Sequence, residues 1–302
     1  MGDEMGKDNG FVMVGIGELL WDMLPQGRQL GGAPANFACH ATRLGSHGVV
    51  VSAVGNDANG AELLDVLREK GVDCRVATSG YPTGTVEITM DEGGVPSYTI
   101  HENVAWDHIQ LQESDVALAE RADVLCYGSL AHRNRDSADS IRRYISSTSA
   151  QCIRLFDINL RQNYYSSRIV DTLLERSTVV KLNDEELVVV ADFLGLSGCE
   201  TRLLDQILER YKLDLIILTK GEFGSRLFSR DHGDSIRQGR AVEVVDTVGA
   251  GDAFGAAVAT GLCHDMALET IHLFASNVAA YVCSHAGATP PLPPLPELMV
   301  DR

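Results

Sequence analysis

Positive charge is what this sequence has least of. Lys and Arg number 25 against 42 Asp and Glu, a formal net charge of -17 over 302 residues, and nowhere do the basic residues gather into a patch. A surface field of that sign repels polyanions, so nucleic acid is not an expected partner, and an anionic small molecule must be held by local donors or a metal ion. Long apolar runs are missing too. None reaches the roughly 18 residues of a membrane span, and the first ten residues are polar, without the apolar core of a secretion signal. The expectation is a soluble, cytoplasmic chain with no membrane partner. Nor does any Gly-Lys-Ser/Thr follow a glycine at the spacing of a Walker loop, which argues against a P-loop nucleotide site. The seven cysteines are odd in number, scattered and mostly set in apolar runs, so they read as reduced core residues and not as a disulfide framework. There is no internal repeat. The one biased segment, Pro290 to Pro296, reads either as a short polyproline ligand or as a tail that packs back on the body.

What is present is ample core material, 45% hydrophobic residues, enough for one large α/β domain or two small ones. Short apolar runs (Phe11 to Ile16, Val49 to Val54, Val124 to Tyr127, Ile153 to Ile158, Val179 to Leu182, Leu215 to Thr219) alternate with longer helical stretches. That alternation predicts strands buried on both faces by crossover helices, in a doubly wound, mainly parallel sheet. Two stretches break the pattern. Thr83 to His101 reads as a hairpin turning at Asp91 to Gly94, and Leu20 to Leu30 is a second excursion. Together they predict a small sheet protruding as a lid, formed by segments of about 20–30 and 83–107 in a single domain spanning 1–302, and a surface suited to a homodimer contact.

The strongest motif is Asp246-Thr247-Val248-Gly249-Ala250-Gly251-Asp252, which follows a strand-like run at Ala241 to Val245 and opens a helix reaching about Leu262. Gly249 and Gly251 permit a tight turn in which successive N–H groups face one anion, at the positive end of the helix. Asp252 reads in two ways: as an N-cap, a favoured use of Asp, or as a base that takes a proton from an attacking hydroxyl. A second motif, Gly31-Gly32-Ala33-Pro34-Ala35-Asn36, opens a helix that ends at Gly45. Pro34 suits its first turn, the glycines leave backbone open to a ligand, and Asn36 offers a donor and an acceptor to a polyol.

These two motifs, in this order and about two hundred residues apart, resemble the signatures of the ribokinase-like (PfkB-type) carbohydrate kinase family, and the likeness covers nearly the whole chain. It runs nearest to the bacterial fructokinases, through Gly17-Glu18-Leu19-Leu20-Trp21-Asp22, Val104-Ala105-Trp106-Asp107 and Asp157-Ile158-Asn159-Leu160-Arg161-Gln162-Asn163-Tyr164-Tyr165. The resemblance implies a kinase that moves the γ-phosphoryl group of MgATP to the 6-hydroxyl of fructose. It implies Asp252 as base, the backbone of Gly249, Ala250 and Gly251 as anion hole, and Arg161 beside the transferring phosphate. Asp22, Gly32, Ala33 and Asn36 would bind the sugar. Asn183 and Glu186, in Lys181-Leu182-Asn183-Asp184-Glu185-Glu186, would lie near the Mg-bound phosphates, with Glu186 reaching the ion through water. Thr219, Gly221 and Gly224 would line the nucleotide, with Lys220 left in solvent, and Asn277 the adenine pocket. Asp246, Val248, Ser284 and Gly287 would hold a potassium ion. Without the family, Asp22 reads as an exposed loop residue, Arg161 as a surface arginine, Asp184-Glu185-Glu186 as the acidic first turn of a helix and Asn277 as a solvent-facing amide. Other acceptors (ribose, 2-keto-3-deoxygluconate, a nucleoside, a sugar phosphate) and a catalytically silent scaffold that binds sugar and nucleotide are the alternatives.

Overall fold

The computed structural model describes residues 10–24, 27–90, 96–231 and 233–300. In chain order the strands are β1 (Val12–Ile16), β2 (Leu20–Leu24), β3 (Gly27–Gly31), β4 (His47–Gly55), β5 (Asp73–Ser79), β6 (Gly84–Met90), β7 (Pro96–Ile100), β8 (Val124–Gly128), β9 (Ile153–Asp157), β10 (Val179–Asn183), β11 (Leu215–Thr219), β12 (Ser225–Ser229) and β13 (Gly233–Arg237). The helices are α1 (Ala33–Arg43), α2 (Ala58–Glu69), α3 (Glu113–Ala119), α4 (Arg135–Ser147), α5 (Ser167–Leu174), α6 (Asp184–Leu194), α7 (Glu200–Tyr211), α8 (Ala250–Cys263), α9 (Leu268–Cys283) and α10 (Leu295–Leu298).

Nine strands form the main sheet in the order β13-β12-β11-β10-β9-β8-β1-β4-β5. It is parallel from β11 to β5, and β12 and β13 add an antiparallel edge. Because side chains alternate along a strand, neighbouring residues feed opposite faces. Val14 and Ile16 of β1, Leu125 and Tyr127 of β8 and Val180 and Leu182 of β10 join one core with α4 to α7. Met13, Val124, Cys126 and Val179 face the other way, onto α1, α8 and α9. The order runs outward from β1 through β4 and β5 on one side and from β8 on the other, so the strand order reverses between β1 and β8. Ligands of open α/β sheets bind beyond the carboxyl ends of strands at such a point.

The small sheet has the order β3-β2-β6-β7. Two antiparallel hairpins are joined edge to edge by a parallel pairing of β2 with β6, Leu20 opposite Gly84 through Met23 opposite Glu87. The turn expected at Asp91 to Gly94 lies outside the described residues.

The strand expected at Ala241 to Val245 does not form. The chain leaves the sheet edge after Arg237 and crosses to α8 as irregular backbone, with Val244 and Val245 each 60% exposed. Val245 N and Asp246 N both donate to Cys283 O, so the segment is pinned by the end of α9 and not by a neighbouring strand. All seven cysteines are free, although Cys199 is exposed and departs from the core expectation. The proline tail packs back, with Leu298 of α10 buried. Among the described residues no helix is long and apolar enough to cross a membrane.

Where β7 returns to the body, Arg133 fastens the junction. Its Nε and one terminal nitrogen donate to the two oxygens of Asp107 at 2.7 and 2.8 Å, and that same nitrogen reaches His101 O at 2.6 Å. The guanidinium also lies 4.0 Å over Trp106 and 4.7 Å over Tyr164. Both charged side chains are almost fully buried. A buried pair contributes little against an apolar substitute, but removing one partner strands the other charge. Asp107→Ala should therefore lower unfolding free energy by about 3–5 kcal/mol in urea titration. A loss under about 1 kcal/mol would mean that the guanidinium finds water there.

Candidate active site

The carboxyl edge of the sheet collects the chemistry. Beyond β1 lies Glu18, at the end of β9 Asp157, within β10 Lys181 and Asn183, and at the end of β11 Thr219. Over this edge stand the N-termini of α1 and α8.

Gly249 begins α8 with φ of 77°, and a side chain there would put its Cβ 2.2 Å from Ala288 O. Only glycine accepts both demands. Gly249 is itself the N-cap, which leaves Asp252 inside the first turn, free of the capping role that the sequence left open. Its Oδ2 instead accepts a hydrogen bond from Asn36 Nδ2 of α1 at 2.8 Å. Burial and the Asp157 charge push the Asp252 carboxyl up to about 6, against the pull of Lys181, Asn36 and Arg161. Ala250 N donates to Thr247 O at 3.3 Å and Ala253 N to Gly249 O at 2.9 Å, and the N–H groups of Gly251 and Asp252 between them have no carbonyl a turn earlier. From behind, buried His40 meets Ala288 O through Nε2 at 2.9 Å. Burial holds that imidazole neutral, with its pKa down to about 4, so Nε2–H is the donor.

Glu18 is the functional residue that motif reading passed over. Its Oε1 accepts from Ala33 N at 3.3 Å, while Oε2 is buried without a hydrogen-bond partner among the described residues. Asn36 Oδ1 is in the same condition. Burial drives the Glu18 carboxyl up to about 7, and the Asp252 charge adds to it. Asp22 is raised to about 6 by burial, opposed by Arg161 and assisted by Asp252. Its Oδ2 lies 2.3 Å from where a Gly31 side chain would begin, so that glycine is what admits the carboxylate. Gly32, at φ 108°, passes equally close to Glu18 O. Three carboxyls thus share one region with buried polar atoms left to be satisfied, an arrangement suited to a polyhydroxylated ligand. The signal for Glu18 was its position, an acid directly beyond an apolar strand.

Asp157 and Lys181 form a buried ion pair, Nζ to the two carboxylate oxygens at 2.9 and 2.8 Å. Sequence reading missed this as well. Asn183 and Glu186 make a reciprocal capping box at the start of α6. Asn183 Oδ1 accepts from Glu186 N at 2.7 Å, and Glu186 Oε2 accepts from Asn183 N at 2.9 Å. Glu186 Oε1 also accepts from Leu160 N at 2.8 Å, and burial raises the carboxyl pKa above the usual carboxylate range. Arg161 is exposed on the following loop, and its charge is felt by Glu18, Asp22 and Asp252.

The remaining candidates sit further along the edge. Thr219 is followed by a short turn with Gly221 at φ 53° and Gly224 at φ 103°. Lys220, expected in solvent, pairs instead with Glu200 at 2.6 Å, because α7 starts within its reach. Asn277 is buried and fully engaged. It accepts from Arg240 at 2.6 Å and donates to Leu298 O and Val300 O, each at 2.9 Å. Asp246 gathers Val248 N at 3.0 Å and Gly287 N at 3.1 Å, whereas the Ser284 hydroxyl turns to Tyr281 O. Among the described residues no three His, Cys, Asp or Glu side chains converge to hold a metal ion.

With this geometry in view, the model of the pfkB family carbohydrate kinases matches residues 26–295. The chain belongs to that family. A fructokinase of Salmonella typhimurium is 30% identical over 298 residues, covering 92% of this chain and 95% of the relative. The crystal structure of an uncharacterized sugar kinase from Pyrococcus horikoshii in complex with ATP superposes with a TM-score of 0.79 at 26% identity, covering 92% of this chain and 94% of that one. The Vibrio cholerae O395 fructokinase, with fructose, ADP and calcium ion bound, gives a TM-score of 0.78 at 25% identity over 96% of this chain and 97% of that one.

The raised carboxyls of this pfkB carbohydrate kinase carry a stability consequence. A carboxyl with a higher pKa folded than unfolded binds more protons when folded, so its contribution is complete below the unfolded value and lost as pH rises through the folded one. For Glu18 that window runs from the ordinary value of 4.5 up to about 7. Calorimetry of the unliganded kinase between about pH 5 and about pH 8 should show its melting temperature falling relative to that of Glu18→Gln as pH rises. Equal slopes in the two proteins would mean that Glu18 ionises as an ordinary carboxylate.

Proposed function

We propose that this kinase transfers the γ-phosphoryl group of MgATP to the 6-hydroxyl of fructose, with Asp252 as the base. The observation that carries the reading is a half-buried carboxylate fixed by Asn36 in the first turn of α8, beside the glycine turn at Gly249. A hydroxyl attacking phosphorus must shed its proton, and a carboxylate held near pKa 6 accepts it while still ionised at neutral pH. The backbone of Gly249, Ala250 and Gly251 would take the charge that grows on the transferred group, for which Ala250 N must turn from Thr247 O. Arg161, exposed on the loop after β9, would add a guanidinium to it.

Glu18, Asp22, Gly32, Ala33 and Asn36 form the sugar side, where the unpartnered Glu18 Oε2 and Asn36 Oδ1 would meet hydroxyls. Support for fructose comes from the named relatives and from the engagement of nearby cations. Arg133 is spent on Asp107, and Arg28 on Asn59 and Glu62, which leaves little to receive a sugar phosphate. Thr219, Gly221 and Gly224 line the nucleotide side of this reading. Asn277 would border the adenine by packing alone, its amide being held by Arg240, Leu298 and Val300.

Magnesium, bound with ATP, neutralises phosphate charge. Glu186 fits it through water and not by direct ligation, since both carboxylate oxygens already accept backbone N–H groups. A potassium ion at Asp246, Val248, Ser284 and Gly287 belongs to the same reading, as do a lid role for the small sheet, which would shield the transfer from water, and a homodimer through it. A monomer in light scattering would remove the last of these.

The test is ADP release with fructose, ribose, 2-keto-3-deoxygluconate, adenosine and fructose 6-phosphate, each with and without potassium. Fructose should turn over best, and faster with potassium. Another acceptor in its place would reassign the sugar, and no turnover with any would leave a binding scaffold. Asp252→Asn should lower kcat by roughly two orders of magnitude or more with ATP affinity retained. In the unmodified enzyme kcat/KM should fall about tenfold per pH unit below about pH 6, because the base is then protonated. A flat profile there would remove Asp252 from the role.

A further inference from the structure

The buried pair of Asp157 and Lys181 has no part in the roles assigned so far. The two residues are direct neighbours across β9 and β10, paired in register at the carboxyl edge of the sheet. Lys181 Nζ gives two hydrogen bonds to the Asp157 carboxylate, and the two side chains are only 10% and 8% exposed. Such a pair is a costly way to fill space, since well-packed apolar side chains at the same place are commonly neutral or better for stability.

Its position suggests what it is retained for. The lysine passes beneath the first turn of α8. A side chain on Gly251 would begin 3.2 Å from Nζ, and one on Gly255, a turn later on the same helix face, 3.6 Å from Cδ. The two glycines form the groove in which the lysine lies, and the ammonium rests against the anion-hole turn.

We propose that Lys181, clamped by Asp157, is a positioning residue for phosphoryl transfer: a fixed positive charge under the Gly251 turn that keeps Asp252 ionised and favours anionic charge at the N-terminus of α8. The inference rests on the kinase reading above. The groups facing Asp252 come from every neighbouring element: Asn36 from α1, Glu18 and Asp22 from β2 and the turn before it, Cys126 from β8, Asp157 from β9, Arg161 from the loop after it and Lys181 from β10. Of these, Lys181 and Arg161 are the positive charges, and Lys181 is the buried one. Burial works against the Lys181 charge, yet Asp157 and Asp252 outweigh it and raise its pKa above the ordinary lysine value, so the ammonium persists across the working pH range.

The two halves of the pair act on Asp252 with opposite sign, and the test uses that. Protein labelled with carbon-13 at the aspartate carboxyls, with the Asp252 resonance identified by its loss in Asp252→Asn, reports the Asp252 titration directly. In Lys181→Met the midpoint should rise by about one pH unit, and in Asp157→Asn it should fall by a similar amount. Lys181→Arg, which keeps the charge, should stay near the wild-type midpoint. With the acceptor that the wild-type enzyme uses, the acid limb of kcat/KM should move in the same directions, and kcat in Lys181→Met should drop at least about tenfold. Unmoved midpoints, or shifts of the same sign in both variants, would overturn the proposal, since a loosened structure has no reason to produce opposite shifts. Should Lys181→Met fail to fold by circular dichroism, the Asp157→Asn and Lys181→Arg pair decides. Should no acceptor turn over in the wild type, the kinase reading fails, while the carboxyl titration still decides this one.

Discussion

A single hydrogen bond, from Asn36 to Asp252, joins two helix N-termini that lie 216 residues apart in sequence. Around it the rest of the site is arranged. Each helix enters through a glycine with positive φ, Gly32 before α1 and Gly249 before α8, and each of those glycines presses on other backbone, Glu18 in one case and Ala288 in the other. His40 then ties α1 to Ala288 a second time from below. The N-termini of α1 and α8 are consequently fixed relative to each other by the protein's own interior.

Holding Glu18, Asp22 and Asp252 together costs folding free energy, because burial disfavours their charges and Asp252 raises the pKa of the other two. Such frustration is characteristic of a site shaped for a ligand. Two extensive cores, one on each face of a nine-stranded sheet, are what allow the chain to tolerate it.

Much of this was legible in the sequence. The apolar runs from β1 to β11 and the glycine entries to α1 and α8 have local signals, periodicity and turn chemistry, and both motifs lie where those signals put them. Three kinds of feature were not legible. Ala241 to Val245 has strand-forming residues, but the N–H groups at its end are taken by Cys283 O at the end of α9, a contact that the segment does not encode. The partner of Lys220 depends on which helix arrives beside it, so the expectation of solvent misses the Glu200 that the fold supplies. Asp157 opposite Lys181 is a matter of register between β9 and β10, which neither segment encodes alone. Glu18 had a signal, an acid just past a buried strand, but no motif to give it weight.

The small sheet is built from two excursions of the chain, joined where β2 meets β6. Each excursion leaves the body and returns to it, at Ile16 and Ala33 for one and at Ser79 and Ala105 for the other. It is therefore a plate on four tethers and not a hairpin on two. A flap of two strands can bend anywhere along its base, but a plate so moored is limited to tilting as one body, and slack in a single connection would be resisted by the other three. The backbone segments on either side of Gly17, Gly32, Gly80 and His101 are then the places where any tilt of the plate must be absorbed.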